Sequence, residues 1–118
     1  MRPDGVKYRQ RQLFDAFRWT GDREALRAWK MTLPASLTIH DCGSAGDHLA
    51  GPDVLFNWAT IAADPKDPLD QPERVYGDRT ERWEWIVLRE KSTWAKGSAI
   101  IGISYTDEAF RSSFEEVP

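Results

Sequence analysis

The densest group of reactive side chains lies in the middle of the chain, where His40-Asp41-Cys42 is followed by Asp47-His48. Imidazole, carboxylate and thiolate are all metal ligands, and a thiol beside an imidazole can act as a nucleophile. His40 and Cys42, two apart in a predicted strand, are expected to share a face. The spacing matches no zinc signature, however, and no oxyanion donors accompany the thiol. We therefore expect the carboxylates of Asp41 and Asp47 to accept turn hydrogen bonds, and we expect no cofactor and no catalytic residues. A metal-binding or thiol enzyme at His40, Cys42 and His48 is the third hypothesis.

Tryptophan is the second unusual feature, with six residues in a chain of 118. Most of these rings are expected to fill a small core, since each buries a large apolar area. Exposed tryptophan and arginine are enriched at protein–protein contacts. We predict that Trp58 and Trp94 are exposed contact residues, with Arg82 as a neighbouring polar anchor.

Three basic residues, Lys7, Arg9 and Arg11, alternate along the predicted first strand. Alternate residues of a strand point to one face, so these side chains could contact phosphates together. The chain as a whole carries a net charge of -3, whereas nucleic-acid-binding domains are usually basic. The pattern therefore favours a solvated strand face. Nucleic acid is an unlikely partner, and a nucleic-acid-binding module using this strand is the alternative function.

The elements that must position these residues follow from periodicity and capping. Residues 6–19 contain no Gly or Pro and predict a long first strand. Asp22 is expected to cap a short helix that ends before Pro34, and Thr106 to cap a second helix at the C-terminus. Alternation predicts further strands at 36–41, 54–62, 82–90 and 98–105. In the 82–90 strand, Trp83, Trp85 and Val87 share one face. The predicted fold class is α+β, with a small curled antiparallel sheet and two short helices, one after the first strand and one at the C-terminus.

Residues 63–78 form a different kind of segment. Pro65, Pro68 and Pro72 remove backbone donors and fix φ, and five acidic residues accompany them. Neither a helix nor a central strand can run through the prolines, so we predict an exposed acidic loop. Since added loop length costs little closure entropy, the sequence favours a tolerated insertion over a functional excursion.

Length and composition bound the class of protein. A chain of 118 residues fits one domain, 1–118, and a hydrophobic content of 41% is enough to form a core. Cys42 is the only cysteine, so no intrachain disulfide can form, and a reducing cytoplasm is the expected compartment. No apolar run approaches the roughly 20 residues of a membrane span, and the first residues lack the pattern of a signal peptide.

Motifs at both ends of the chain resemble those of a known group of proteins. Near the start, Lys7-Tyr8-Arg9 is followed by Phe14-Asp15-Ala16-Phe17-Arg18-Trp19-Thr20-Gly21. Later, Trp85-Ile86-Val87 precedes Phe110-Arg111-Ser112-Ser113-Phe114-Glu115-Glu116-Val117. Over about half of its length the chain thus resembles a family of small, mostly uncharacterised proteins encoded by tailed bacteriophages and prophages. It departs from that family in the acidic loop, and at Glu81-Arg82-Trp83-Glu84, where a Pro-Gly-Asp turn is usual.

The resemblance implies a compact β-rich fold and a phage setting, and it brings no catalytic residues. Together with the tryptophan and arginine content, it predicts a phage-encoded accessory protein. Such a protein would act by protein–protein interaction in the host cytoplasm. The expected partner is a host or phage protein, with a homodimer as a further arrangement and no membrane association.

Overall fold

The computed structural model describes residues 14–45, 53–93 and 96–116; of 44 and 45 it describes only the backbone. Within these ranges the chain forms six strands and three helices. In chain order they are β1 Ala16–Arg18, α1 Arg23–Lys30, β2 Leu37–Asp41, α2 Cys42–Ala45, β3 Leu55–Ile61, β4 Glu73–Thr80, β5 Trp85–Thr93, β6 Gly97–Tyr105 and α3 Asp107–Ser113. None of the described helices has the length and apolar character that crossing a bilayer requires.

The six strands belong to two antiparallel sheets of three strands each. One sheet has the order β1-β5-β6, and the other has the order β2-β3-β4. The predicted α+β class is confirmed, as are the helix after the first strand and the helix at the C-terminus. The antiparallel strands are divided between two sheets where the sequence predicts one.

The two longer helices begin at the predicted caps. The Asp22 carboxylate accepts hydrogen bonds from the backbone N–H groups of Glu24 and Ala25, both at 3.1 Å. The Thr106 hydroxyl accepts from Ala109 N–H, also at 3.1 Å. These bonds satisfy amide protons that have no partner inside the helix, which explains why each helix starts where it does.

Three boundaries differ from the predictions. The predicted loop 63–78 ends early, because Glu73–Thr80 forms β4 and pairs with β3. After the last proline of the loop the backbone donors are intact again, so a strand can form. Of the predicted first strand, only 16–18 is a strand among the described residues, and 6–13 lies outside them. The 82–90 strand begins at Trp85, since the chain turns at 81–84.

The proline-rich loop has a defined shape between β3 and β4. Asp64 and Asp67 each accept a hydrogen bond from the backbone N–H two residues ahead, at 2.9 Å. Asp70 Oδ2 accepts from Lys96 Nζ at 2.8 Å, which ties the loop to the start of β6. The leucine of the loop, Leu69, is 89% exposed.

Two clusters of apolar side chains form the core. In the larger one, the indole of Trp19 and Leu26 of α1 pack with residues of both sheets, Ile39, Leu55 and Ile86. The smaller one joins Ala59 and Val75 to residues of β6. Burial of these side chains is the main favourable contribution to folding, and it places the two sheets against each other.

The free edge of β6 is covered by side chains of the other sheet. Asn57 is 3% exposed; its amide accepts from Gly102 N–H at 2.7 Å and donates to Gly102 C=O at 3.0 Å. Nearby, Asp78 accepts from Ser104 N–H at 3.0 Å. These bonds replace those of a neighbouring strand, and they protect an edge that would otherwise pair with another chain.

Candidate functional site

Among the tryptophans that the structure describes, Trp83 is the most exposed. It lies in the turn between β4 and β5, and 52% of its area is exposed. Its φ is +78°, a left-handed conformation that is costly for a bulky residue. The backbone N–H of Trp83 donates to Trp19 C=O at 2.5 Å, which fixes the turn against the end of β1. The prediction that Trp83 shares a strand face with Trp85 and Val87 is therefore wrong.

Two guanidinium groups flank the Trp83 ring. The Cζ atoms of Arg18 and Arg82 each lie 5.7 Å from the ring centroid, within the range of a cation–π contact. Side-chain exposure is 35% for Arg18 and 46% for Arg82. We call these three residues the tryptophan surface.

Arg82 is held in place by residues with unusual backbone conformations. Its Nη2 lies 3.1 Å from Asp53 Oδ2, and Asp53 has φ +58°. Gly21, with φ +89°, lies so close that a Cβ atom there would overlap the Arg82 guanidinium. Asp53 also pairs with Arg23, at 3.2 Å. Gly21 and Asp53, two residue types that tolerate a left-handed backbone, thus flank this arginine, whereas the left-handed conformation is strained at Trp83, and such strain tends to occur at functional sites.

Arg18 is oriented from the other side by Asp107 of α3. Arg18 Nη2 lies 3.8 Å from Asp107 Oδ1, which accepts from Trp85 Nε1 at 2.8 Å. Asp107 Oδ2 accepts from Arg111 Nε at 3.0 Å. The hydrogen bond from Trp85, followed by that from Arg111, lowers the pKa of Asp107 below its usual value. The carboxylate is therefore charged where it orients Arg18.

A second surface is the outer side of the β2-β3-β4 sheet. Its inner side is buried through Leu37, Ile39, Leu55 and Ala59. The side chains that alternate with these, paired across the strands, point outward and are half-buried or exposed. We call this surface the sheet face; its residues are Thr38, His40, Phe56, Trp58, Thr60, Arg74, Tyr76 and Arg79.

The predicted interaction residues lie apart. Arg82 belongs to the tryptophan surface, and Trp58 is half-buried in the sheet face beneath the Arg74 guanidinium, 5.0 Å from its ring centroid. Trp94 lies outside the described residues, as do Lys7, Arg9 and Arg11 of the alternative function. That these residues contact a partner stays a prediction.

The two described members of the candidate metal or thiol site differ in burial and in secondary structure. The His40 ring is part of the sheet face, 6.1 Å from the Trp58 ring between centroids. The Cys42 side chain is fully buried, and Cys42 begins the one-turn helix α2 directly after β2 ends at Asp41. The expectation that His40 and Cys42 share a strand face is therefore wrong. His48 lies outside the described residues, and among those described no three His, Cys, Asp or Glu side chains are grouped to hold a metal ion.

Sequence reasoning missed Trp83, Arg18 and the aromatic Tyr76, which is 61% exposed. The signal for Trp83 was the Glu-Arg-Trp-Glu segment, which departs from the turn of the resembled family and has charged residues on both sides of an aromatic ring. Arg18 and Tyr76 could not be assigned, since their roles depend on strand pairing far along the chain.

In comparisons with protein-family models, curated proteins and solved structures, the chain has no match.

Proposed function

We propose that this chain is a phage-encoded accessory protein that binds a host or phage protein through the tryptophan surface, in the host cytoplasm. The observation that carries the proposal is the exposed Trp83 ring, held in a strained turn between two guanidinium groups. The phage setting is supported by the motifs at the two ends of the chain.

The energetics of interfaces favour such a site. A tryptophan ring buries a large area with only two side-chain torsions to fix, and arginine contributes both stacking and hydrogen bonds. Tryptophan and arginine are over-represented among the few residues that dominate binding energy. Here the turn, Asp53 and Asp107 hold all three side chains in place before binding. Less conformational entropy is then lost when the partner binds.

The test is affinity capture by the purified, tagged chain from a lysate of the bacterium that carries its gene, followed by measured binding of each captured protein. Trp83→Ala is expected to weaken specific binding by about 2 kcal/mol or more, which is about 30-fold. Arg82→Ala is also expected to weaken the specific binding of the captured protein.

The matched control is Leu69→Ala, which removes an apolar side chain that is still more exposed, in the loop between β3 and β4. This variant is expected to bind like the unaltered chain. Equal binding by Trp83→Ala, with folding verified by circular dichroism, would contradict the proposal.

A further inference from the structure

The sheet face carries aromatic rings on neighbouring strands. Trp58 of β3 is paired directly with Tyr76 of β4, and the next outward residue on β3 is Phe56. Directly paired side chains have Cβ atoms about 5 Å apart, so Tyr76 lies beside Trp58 on the same face. Tyr76 is 61% exposed, which leaves its ring open for stacking.

The same face is positively charged. Its eight side chains include two arginines and a histidine, and no carboxylate, in a chain with 19 acidic residues. Arg74 lies over the Trp58 ring and makes no ion pair with any residue that the structure describes. Arg79 pairs with Glu81, just beyond the end of β4, at 3.1 Å.

A groove continues this surface toward α1. It lies between α1 and β2, has a cavity volume of about 710 Å³, and shares Thr38 and His40 with the sheet face. Its helix side presents Arg23, Arg27 and Lys30, and the one carboxylate that lines it, Asp41, is paired with Arg23 at 2.8 Å. Arg27 pairs with Glu24, whereas Lys30 has no acidic partner within the described part of the chain.

The net charge of -3 made nucleic acid an unlikely partner from the sequence, but the charge is unevenly placed, and from the cationic, aromatic sheet face we infer that it binds single-stranded nucleic acid. Bases stack on Tyr76 and on the Trp58–Arg74 pair, since every base has a π-face and both aromatic rings and guanidinium planes accept stacking. The phosphates lie toward Arg74, Lys30 and the groove, where cations replace condensed counterions. A purely acidic peptide would use the cations and leave the exposed ring without a role. This function is separate from the protein binding proposed for the tryptophan surface.

The test is fluorescence anisotropy with labelled oligothymidylate and oligouridylate of about 15 nucleotides, a length that covers a typical single-strand site. Binding is expected to weaken steadily between about 50 and 200 mM salt. Tyr76→Ala is expected to weaken binding roughly 5- to 150-fold, the usual effect of removing one stacking ring. Tyr76→Phe keeps the ring and is expected to bind like the unaltered chain.

The charge contribution has its own readout. Arg74→Ala is expected to reduce the slope of log affinity against log salt by about 0.7, the value for one phosphate contact to a single strand. The matched control is Lys66→Ala, which removes an exposed positive charge in the loop between β3 and β4, away from the sheet face. It is expected to leave both affinity and slope unchanged.

Several outcomes would overturn the inference. These are no binding of either oligonucleotide at low salt, equal binding by folded Tyr76→Ala, or equally tight binding of polyglutamate or of duplex DNA. Trp83→Ala is expected to bind the oligonucleotides normally, so the result does not depend on the fate of the proposed protein interaction.

Discussion

At the scale of single residues, Asn57 shows how one side chain joins the two sheets. Its amide forms hydrogen bonds with the N–H and the C=O of Gly102 and donates to Asp78 C=O at 3.0 Å. The space between the strands suits only glycine at two positions, because a Cβ atom at Gly77 or Gly102 would meet the Asn57 amide. A polar side chain so deeply buried is tolerated because the bonds replace those it would make with water.

Asn57→Ala is therefore expected to lower the free energy of unfolding by about 2 kcal/mol or more, since it leaves buried donors and acceptors of β6 unsatisfied. Urea denaturation followed by tryptophan fluorescence measures the change. Thr60→Ala, on the exposed side of the same strand, is expected to change it by less than about 0.5 kcal/mol. A small effect of Asn57→Ala would contradict the role assigned to this amide.

At the scale of elements, local patterns were sufficient for some parts of the fold and insufficient for others. Asp22 and Thr106 identified the helix starts, since a cap acts on amides within its own first turn. Alternation located β2, β3 and β6 within one or two residues. Trp83 was predicted to lie in a strand because apolar and polar residues alternate from 82 onward. The backbone at Trp83 is nevertheless left-handed, and the chain turns there. The contact between the two sheets includes the hydrogen bonds of Asn57 with Gly102, which are far apart in the chain and give no local signal.

The same holds for the candidate site. Arg82 was identified from its type and its position beside tryptophan, whereas Arg18 joins it only through the pairing of β1 with β5. The sheet face is composed of residues from three strands, so its lack of carboxylates becomes visible only when the register is known.

Helix α3 is expected to make the stability of the fold depend on acid. The pKa of Asp107 is lower in the folded chain than the usual value, so the folded state binds the proton more weakly than the unfolded chain does. Its stabilisation is fully present above about pH 4, the unfolded aspartate value, and is lost as pH falls through the lower folded value.

Asp107→Asn is expected to remove this contribution, so that stability falls less steeply below about pH 4 than in the unaltered chain. Urea denaturation between about pH 7 and about pH 3 provides the comparison. Glu108→Gln, one residue along and exposed, is the control and is expected to keep the acid dependence. Identical acid profiles for Asp107→Asn and the unaltered chain would show that the contacts of Asp107 do not stabilise α3.

At the scale of the whole molecule, the two sheets pack against each other and leave two distinct surfaces facing outward. The tryptophan surface lies at the turn between β4 and β5, where the chain passes from one sheet to the other. The sheet face is the outer side of the second sheet. We propose that the first binds protein and the second binds nucleic acid, which would allow one small chain to bring the two together.

The central claim is that Trp83 lies in the interface with a protein partner. Photocrosslinking in the bacterial cell tests it most directly, with a photoreactive phenylalanine derivative placed at position 83 and, in a second chain, at position 69. The account predicts that position 83 crosslinks to one defined protein and that position 69, though more exposed, does not. Crosslinking of the same proteins from both positions, or none from position 83, would contradict it.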